Sequence, residues 1–231
     1  MYYFYGYNSE LLLAFLAVMV LSLVAQAKVN STFQKYAKVA ASCRLPAVSV
    51  AQNLLRDGGS DAQITSVGGR LTDHFNPRTN VVGLSQSVYN ESSVSALAVA
   101  AHEIGHVMQY QEGYFPIRLR NAVLPVASFG SQIAPFLLLI GLLMNSYRLA
   151  MVGVVLFGAM FLFQLVTLPV EFNASSRAIA MLTDGGYLSY DEIPQAKRVL
   201  RAAAFTYVVG ALASLVNLLR ALFIVNRTRR D

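Results

Sequence analysis

The chain has 231 residues, of which 55% are hydrophobic and only 13% are charged, against roughly 45–50% and about 25% in soluble globular proteins. So few charges cannot cover the core of a soluble globule. The apolar excess must therefore face something other than water, and lipid is the natural candidate. The net charge is +6, but no basic run is longer than Arg229–Arg230 and no basic–aromatic stripe is present, which excludes nucleic acid as the expected partner. Cys43 is the single cysteine; any metal ligands must therefore be histidine and carboxylate.

The apolar residues are concentrated in four stretches. Each is long enough to cross a bilayer core of about 30 Å as a helix, and they cover residues 11–27, 123–144, 147–170 and 202–225. The second and third stretches are joined by Asn145–Ser146, which predicts a helical hairpin. The first stretch ends in a sequence resembling a signal-peptide cleavage site (Ala25–Ala27), but residues 1–10 hold no Lys or Arg, which favours an uncleaved anchor.

The positive charges predict the orientation in the membrane. Thirteen of the 18 Lys and Arg residues lie in the two long segments 28–122 and 171–201, and residues 1–10 hold none. The positive-inside rule therefore places both segments in the cytoplasm and the N-terminus outside a bacterial-type plasma membrane. The tail residues Arg227, Arg229 and Arg230 favour the opposite orientation.

The first long segment has the composition of a small soluble α+β domain. A helix is predicted from Pro46 to Arg56, and a second from Ser92 or Ser93 to Glu112, with a serine cap at its start and Gly113 after its end. Between them lie three short β-prone runs separated by turn residues, which predict an antiparallel meander. The runs cover residues 64–67, 71–75 and 80–85.

These features predict a mainly α-helical integral membrane protein with a small α+β subdomain. The expected parts are an anchor (1–28), the soluble subdomain (29–122), a transmembrane hairpin (123–170), a further helical segment (171–201), and a fourth transmembrane helix with a basic tail (202–231).

The second soluble helix contains the sequence His102-Glu103-Ile104-Gly105-His106. Residues four apart lie on the same face of a helix, so the two imidazoles can bind one metal ion. Glu103 then lies beside them, where it can reach a metal-activated water. This HExxH pattern is typical of zinc metallopeptidases, in which the glutamate is the general base.

A catalytic zinc needs a third protein ligand, which here must be His74, on the predicted middle strand, or a carboxylate. Glu171 stands out among the acids because it follows the third apolar stretch, where an unpaired carboxylate is costly. Two spans separate it from His106, so both residues emerge on one side of the membrane. Asn173 and Ser175 follow Glu171 on a predicted helix and could orient ligands.

Three segments carry a resemblance to a known family: HEIGHVMQ, LVTLPVEFNASSRA and TDHFNPRTNVVGLS. They resemble the YugP-type integral-membrane neutral zinc metallopeptidases and, more distantly, the HtpX and CAAX-prenyl-protease group. The similarity covers essentially the whole chain. It implies that His102, His106 and Glu171 bind one Zn²⁺ per chain and that Glu103 is the base.

The resemblance implies hydrolysis of peptide bonds in a protein or peptide substrate. His74 and Arg177 are the first-ranked donors for the oxyanion of the transition state. The run 80–85 is interpreted as an edge strand that holds an extended substrate by strand addition.

Two alternatives to a membrane-bound endopeptidase remain. One is a zinc-stabilised but catalytically silent scaffold or chaperone. The other is a transporter or channel, which the near absence of acidic residues from the apolar stretches disfavours.

Overall fold

A computed structural model describes the backbone of residues 3–228 and the side-chain surroundings of residues 10–227. Two parts of the sequence analysis fall outside this range of described side chains. They are residues 1–9 of the predicted external flank, and Arg229 and Arg230 of the basic tail. The elements in chain order are α1 Tyr3–Ala37, α2 Ala47–Asp57, β1 Gln63–Val67, β2 His74–Asn76, β3 Val81–Ser85, α3 Val94–Gln111, α4 Phe115–Leu143, α5 Tyr147–Asp184 and α6 Ile193–Thr228.

The predicted fold class is confirmed. Helices α1, α4, α5 and α6 contain the four apolar stretches and are long and apolar enough to cross a membrane. Only 11–22% of their most apolar windows is buried within the protein. The remaining apolar surface needs an apolar surrounding, because exposing it to water is unfavourable, and lipid provides one.

The chain forms two compact units. The first contains the segments up to Ala25, from Arg118 to Leu168 and from Thr206 onward, so it holds most of the apolar stretches. Its buried cluster joins α5 and α6 through Ala150, Val154, Ala221 and Val225. The predicted hairpin is also confirmed: α4 and α5 are separated by residues 144–146, and their backbones approach so closely that a Cβ on Gly141 would clash with the backbone nitrogen of Ala150.

The second unit contains residues 26–117 and 169–205. It comprises α2, the sheet, α3 and parts of the longer helices. Helix α3 lies in its core, since Ala96, Ala98, Ala100 and Ala101 are all fully buried. Small side chains along a helix let neighbouring elements pack close to its backbone, which positions α3 at the centre of this unit.

Both short helices match their predictions. Helix α2 begins after Pro46 and ends at Asp57, next to Gly58. Helix α3 begins after Ser93, whose side-chain oxygen accepts a hydrogen bond from the backbone nitrogen of Ala96. Such a cap satisfies one of the unpaired amides of the first helical turn.

The three predicted strands form one sheet, but the predicted meander order is wrong. The observed order is β1-β3-β2, with β3 parallel to β1 and antiparallel to β2. Strand β3 is the most buried, with Val82 and Leu84 fully covered. A strand that is buried in this way is best placed between two partners, whereas a meander would have left it at an edge.

This order corrects two expectations. His74 lies on the edge strand β2, not on a middle strand. Strand β3 is central, paired with β1 along its whole length and with β2 over Val81–Gly83, so it does not offer a free edge for an extended substrate.

Candidate metal centre

Helix α3 brings His102 and His106 onto one face. Their ring centroids are 4.8 Å apart, as expected for histidines one helical turn apart. Glu171, on α5, faces both rings: its Oε2 lies 3.3 Å from Nε2 of His102 and 3.7 Å from Nε2 of His106. The three ligand atoms are within 4.8 Å of one another.

The Glu171 carboxylate carries a buried oxygen that lacks a hydrogen-bond partner. Glu171 is 2% exposed, and its Oε2 accepts no hydrogen bond within the described part of the chain. A buried carboxylate oxygen without a donor is costly, and a cation between this oxygen and the two imidazole nitrogens would remove that cost. Two imidazole nitrogens and one carboxylate oxygen are also a ligand set that suits zinc.

The other ring nitrogens of both histidines have partners. Nδ1 of His106 lies 3.0 Å from Oε1 of Gln109, and Nδ1 of His102 lies 3.3 Å from Oγ of Ser175. When each Nδ1 carries the proton and donates it to these oxygens, each Nε2 presents a lone pair towards Glu171. The expected orienting role of Ser175 therefore agrees with its observed position.

Gln109 links the two helices of the site. It is fully buried, and its Nε2 donates to the backbone oxygen of Val170 at 2.8 Å and to Oδ1 of Asn173 at 2.9 Å. The side chain thus holds His106 in place and ties α3 to the residue next to Glu171. Sequence reasoning did not assign it a role, although its position three residues after His106 places it on the same helix face.

Glu103 lies beside the cluster and is 8% exposed. Burial raises the pKa of its carboxyl above the ordinary value; His102 and His106 oppose this rise, and the charges of Asp73 and Glu171 add to it. A carboxylate whose pKa is shifted towards neutrality is a better proton acceptor for hydrolysis near pH 7.

Asp73 is a second residue that sequence reasoning missed. Its carboxylate accepts hydrogen bonds from the backbone nitrogen of Ser85 at 2.8 Å and from Oγ of Ser85 at 2.9 Å. These bonds tie the segment before β2 to the end of β3. Burial raises the pKa of Asp73, while the bonds to Ser85 lower it. No periodicity marks such a residue, because its partner lies 12 positions away.

His74 and Arg177 are not part of the His–His–Glu cluster. His74 is exposed on β2, and its Nδ1 lies 2.9 Å from the backbone oxygen of Thr72. Arg177 binds Glu112 with two hydrogen bonds of 2.6 Å and donates from Nε to Oδ1 of Asn173 at 2.8 Å. Their roles as oxyanion donors stay predictions.

Four helices of membrane-spanning length and a buried cluster of two histidines and a glutamate define a membrane protein with a candidate metal centre. The chain belongs to the family described as "Putative neutral zinc metallopeptidase", whose model matches residues 11–226. The resemblance inferred from the sequence motifs is thereby confirmed.

A curated relative agrees with this assignment. The chain is 46% identical over 210 residues to "Putative membrane protease YugP" of Bacillus subtilis (strain 168), covering 90% of this chain and 93% of the relative. No solved structure matches the chain at a significant level.

Proposed function

We propose that this protein is a membrane-bound zinc endopeptidase with one zinc ion per chain. His102, His106 and Glu171 are the zinc ligands, and Glu103 is the general base. The observation that carries the proposal is the buried, unpartnered Oε2 of Glu171 facing Nε2 of both histidines. Membership of a zinc metallopeptidase family supports the same metal.

Each proposed role follows from the chemistry of the side chain. A zinc ion in such a site acts as a Lewis acid and lowers the pKa of a bound water to about 7. Glu103 accepts the proton of the attacking water on a carboxylate oxygen and returns it to the leaving amine. Gln109 and Ser175 keep both imidazoles oriented while the proton moves.

For the oxyanion, we rank His74 above Arg177. The guanidinium nitrogens of Arg177 already bind Glu112 and Asn173. When Nδ1 of His74 donates to the Thr72 oxygen, Nε2 is an acceptor in the neutral ring. His74 would therefore serve as an oxyanion donor in its imidazolium form.

The proposed substrate is a protein or peptide that reaches the site from the cytoplasmic side.

Glu103→Gln keeps the size of the side chain but cannot accept the proton of water. We expect zinc to stay bound and hydrolysis to fall by about 10²–10⁴-fold. The measurement compares membrane proteomes of cells that carry the native chain or the variant, together with the zinc content of both purified proteins.

Glu91→Gln, at an exposed position before α3, is the matched control and should leave the proteome unchanged. Substrates that accumulate only with Glu103→Gln support the proposal. Identical proteomes would favour the catalytically silent scaffold. Loss of zinc from Glu103→Gln would show that Glu103 is a ligand or a fold element rather than a base.

A further inference from the structure

A cavity of about 360 Å³ lies between α1 and α6 within the unit formed by residues 26–117 and 169–205. None of its lining residues belongs to the His–His–Glu cluster. Four of them are basic, and the chief lining residues are Lys28, Thr32, Lys35, Tyr36, Arg198 and Arg201.

Helical spacing places these side chains on facing surfaces. Lys28, Thr32 and Lys35 are separated by four and three residues, so they follow one face of α1. Arg198 and Arg201 are three residues apart on α6. Two helices therefore each contribute a pair of cations to the same cavity.

The partners of these cations are aromatic or neutral. Nζ of Lys28 lies 5.5 Å from the ring centroid of Phe205, and Nζ of Lys35 lies 5.5 Å from that of Tyr36. Arg198 donates from Nη1 to the hydroxyl of Tyr36 at 3.1 Å. Among residues 10–227, no carboxylate forms an ion pair with any of the four basic residues.

Four like charges around one cavity repel each other, and an anion in the cavity would offset that repulsion. A phosphate group suits such a site because arginine and lysine both donate hydrogen bonds to its oxygens. Thr32 adds a hydroxyl to the same lining.

The position of the cavity along the chain indicates where this phosphate comes from. Lys28 is the first charged residue after the apolar stretch 11–27, and Arg201 is the last one before the stretch that begins at Ala202. Both pairs of cations therefore lie where a membrane-spanning helix leaves the hydrocarbon core, which is the depth of the lipid headgroups.

We propose that this cavity binds the phosphate of an anionic phospholipid headgroup. Basic pockets at the ends of membrane-spanning helices are suited to such headgroups, and each basic side chain near an anionic surface contributes roughly a fivefold gain in binding. The lipid joins α1 to α6 and so stabilises the folded chain.

The test uses the full-length protein purified in detergent. Its thermal unfolding midpoint is measured with added phosphatidylglycerol, phosphatidylcholine or inorganic phosphate. We expect phosphatidylglycerol to raise the midpoint by a few degrees, because a ligand that binds only the folded state stabilises it, and the other two additions to leave it unchanged. Native mass spectrometry of the same samples counts the lipids that stay bound.

A variant with Lys28, Lys35, Arg198 and Arg201 all changed to Gln should bind phosphatidylglycerol at least about 100-fold more weakly. The matched control changes Lys38 and Lys197 to Gln, which removes two nearby exposed charges outside the cavity. This control should keep the full response. If the fourfold variant does not fold, the double variant Lys28→Gln/Arg201→Gln replaces it. The zinc content of each purified variant shows whether it is folded.

Three results would overturn the proposal. One is an equal response of the cavity variant and the control, which would indicate a general effect of surface charge. Another is an equal response to phosphatidylcholine. The third is a full response to inorganic phosphate alone, which would make free phosphate rather than a lipid the ligand.

Discussion

Glu171 contributes the one carboxylate oxygen of the His–His–Glu cluster, from a side chain that is 3% exposed. We expect Glu171→Ala to lose most of its zinc, because the change removes one of three bonds and the negative charge that balances the ion. His102→Ala and His106→Ala should have the same effect. Zinc per chain in purified protein, measured by atomic emission, tests this prediction.

Asp184→Ala is the matched control for Glu171→Ala. It removes a carboxylate from the exposed end of the same helix and should retain full zinc occupancy. Retention of zinc and activity by Glu171→Ala would show that another residue is the third ligand, and His74→Ala would be the next variant to measure.

At the scale of elements, the crossing of α3 and α5 depends on Gly105. A Cβ at this position would lie 2.7 Å from the backbone oxygen of Ala174. We expect Gly105→Ala to push the helices apart, to destabilise the protein by about 1–3 kcal/mol and to weaken zinc binding, because Glu171 lies on the displaced helix. Unfolding midpoint and zinc affinity are the two measurements.

Gly158→Ala is the control, since a Cβ on Gly158 meets nothing within 4 Å. Both substitutions add one methyl group inside a helix. If Gly105→Ala bound zinc as tightly as Gly158→Ala, the close approach at Ala174 would not matter for the site.

The ion pair of Glu112 and Arg177 also joins α3 to α5, with hydrogen bonds of 2.6 Å. The bonds from Arg177 lower the pKa of Glu112 below its ordinary value of 4.5. A lowered pKa in the folded state adds stability above pH 4.5, and this stability is lost as the pH falls through the lowered pKa. The effect is small because the Glu112 side chain is 56% exposed.

We therefore expect Glu112→Gln to lower the unfolding midpoint by no more than about 4 °C near pH 7. The difference from the native chain should shrink as the pH falls below 4.5. Thermal unfolding across this pH range measures it. A difference that stays constant at acidic pH would mean that the charge of Glu112 is not its source.

At the scale of the whole molecule, the distribution of positive charges predicts which side of the membrane carries the site. We predict that the loop between β2 and β3 lies in the cytoplasm and that the turn between α4 and α5 lies outside, because 13 of the 18 basic residues are in segments 28–122 and 171–201. The probes are Thr79→Cys and Met144→Cys in a Cys43→Ser background. Both positions are exposed.

A membrane-impermeant thiol reagent applied to intact cells should label the cysteine at position 144 and not the one at position 79. Permeabilised cells provide the control, in which both should react. The reverse pattern would place the site outside the cell and would make exported proteins the expected substrates.

The sequence by itself determined the elements with strong local signals. Four apolar stretches predicted four long helices. The serine cap at the start of α3 and Gly113 after its end predicted the bounds of that helix. The spacing of His102 and His106 needed only helical periodicity to bring their rings together. Glu171 was predicted because a carboxylate beside an apolar stretch needs a partner.

Only the tertiary structure decided what depends on contacts between distant parts of the chain. The sheet order follows from the burial of both faces of β3. The lengths of the turns between the strands do not encode that burial. The spacing of Gln109 from His106 places both on one helix face, but its bonds to Val170 and Asn173 and the bonds of Asp73 to Ser85 join separate elements, so they became visible only in the structure. The sequence also did not show that Arg177, a predicted oxyanion donor, binds Glu112, because the crossing of two helices brings these opposite charges together.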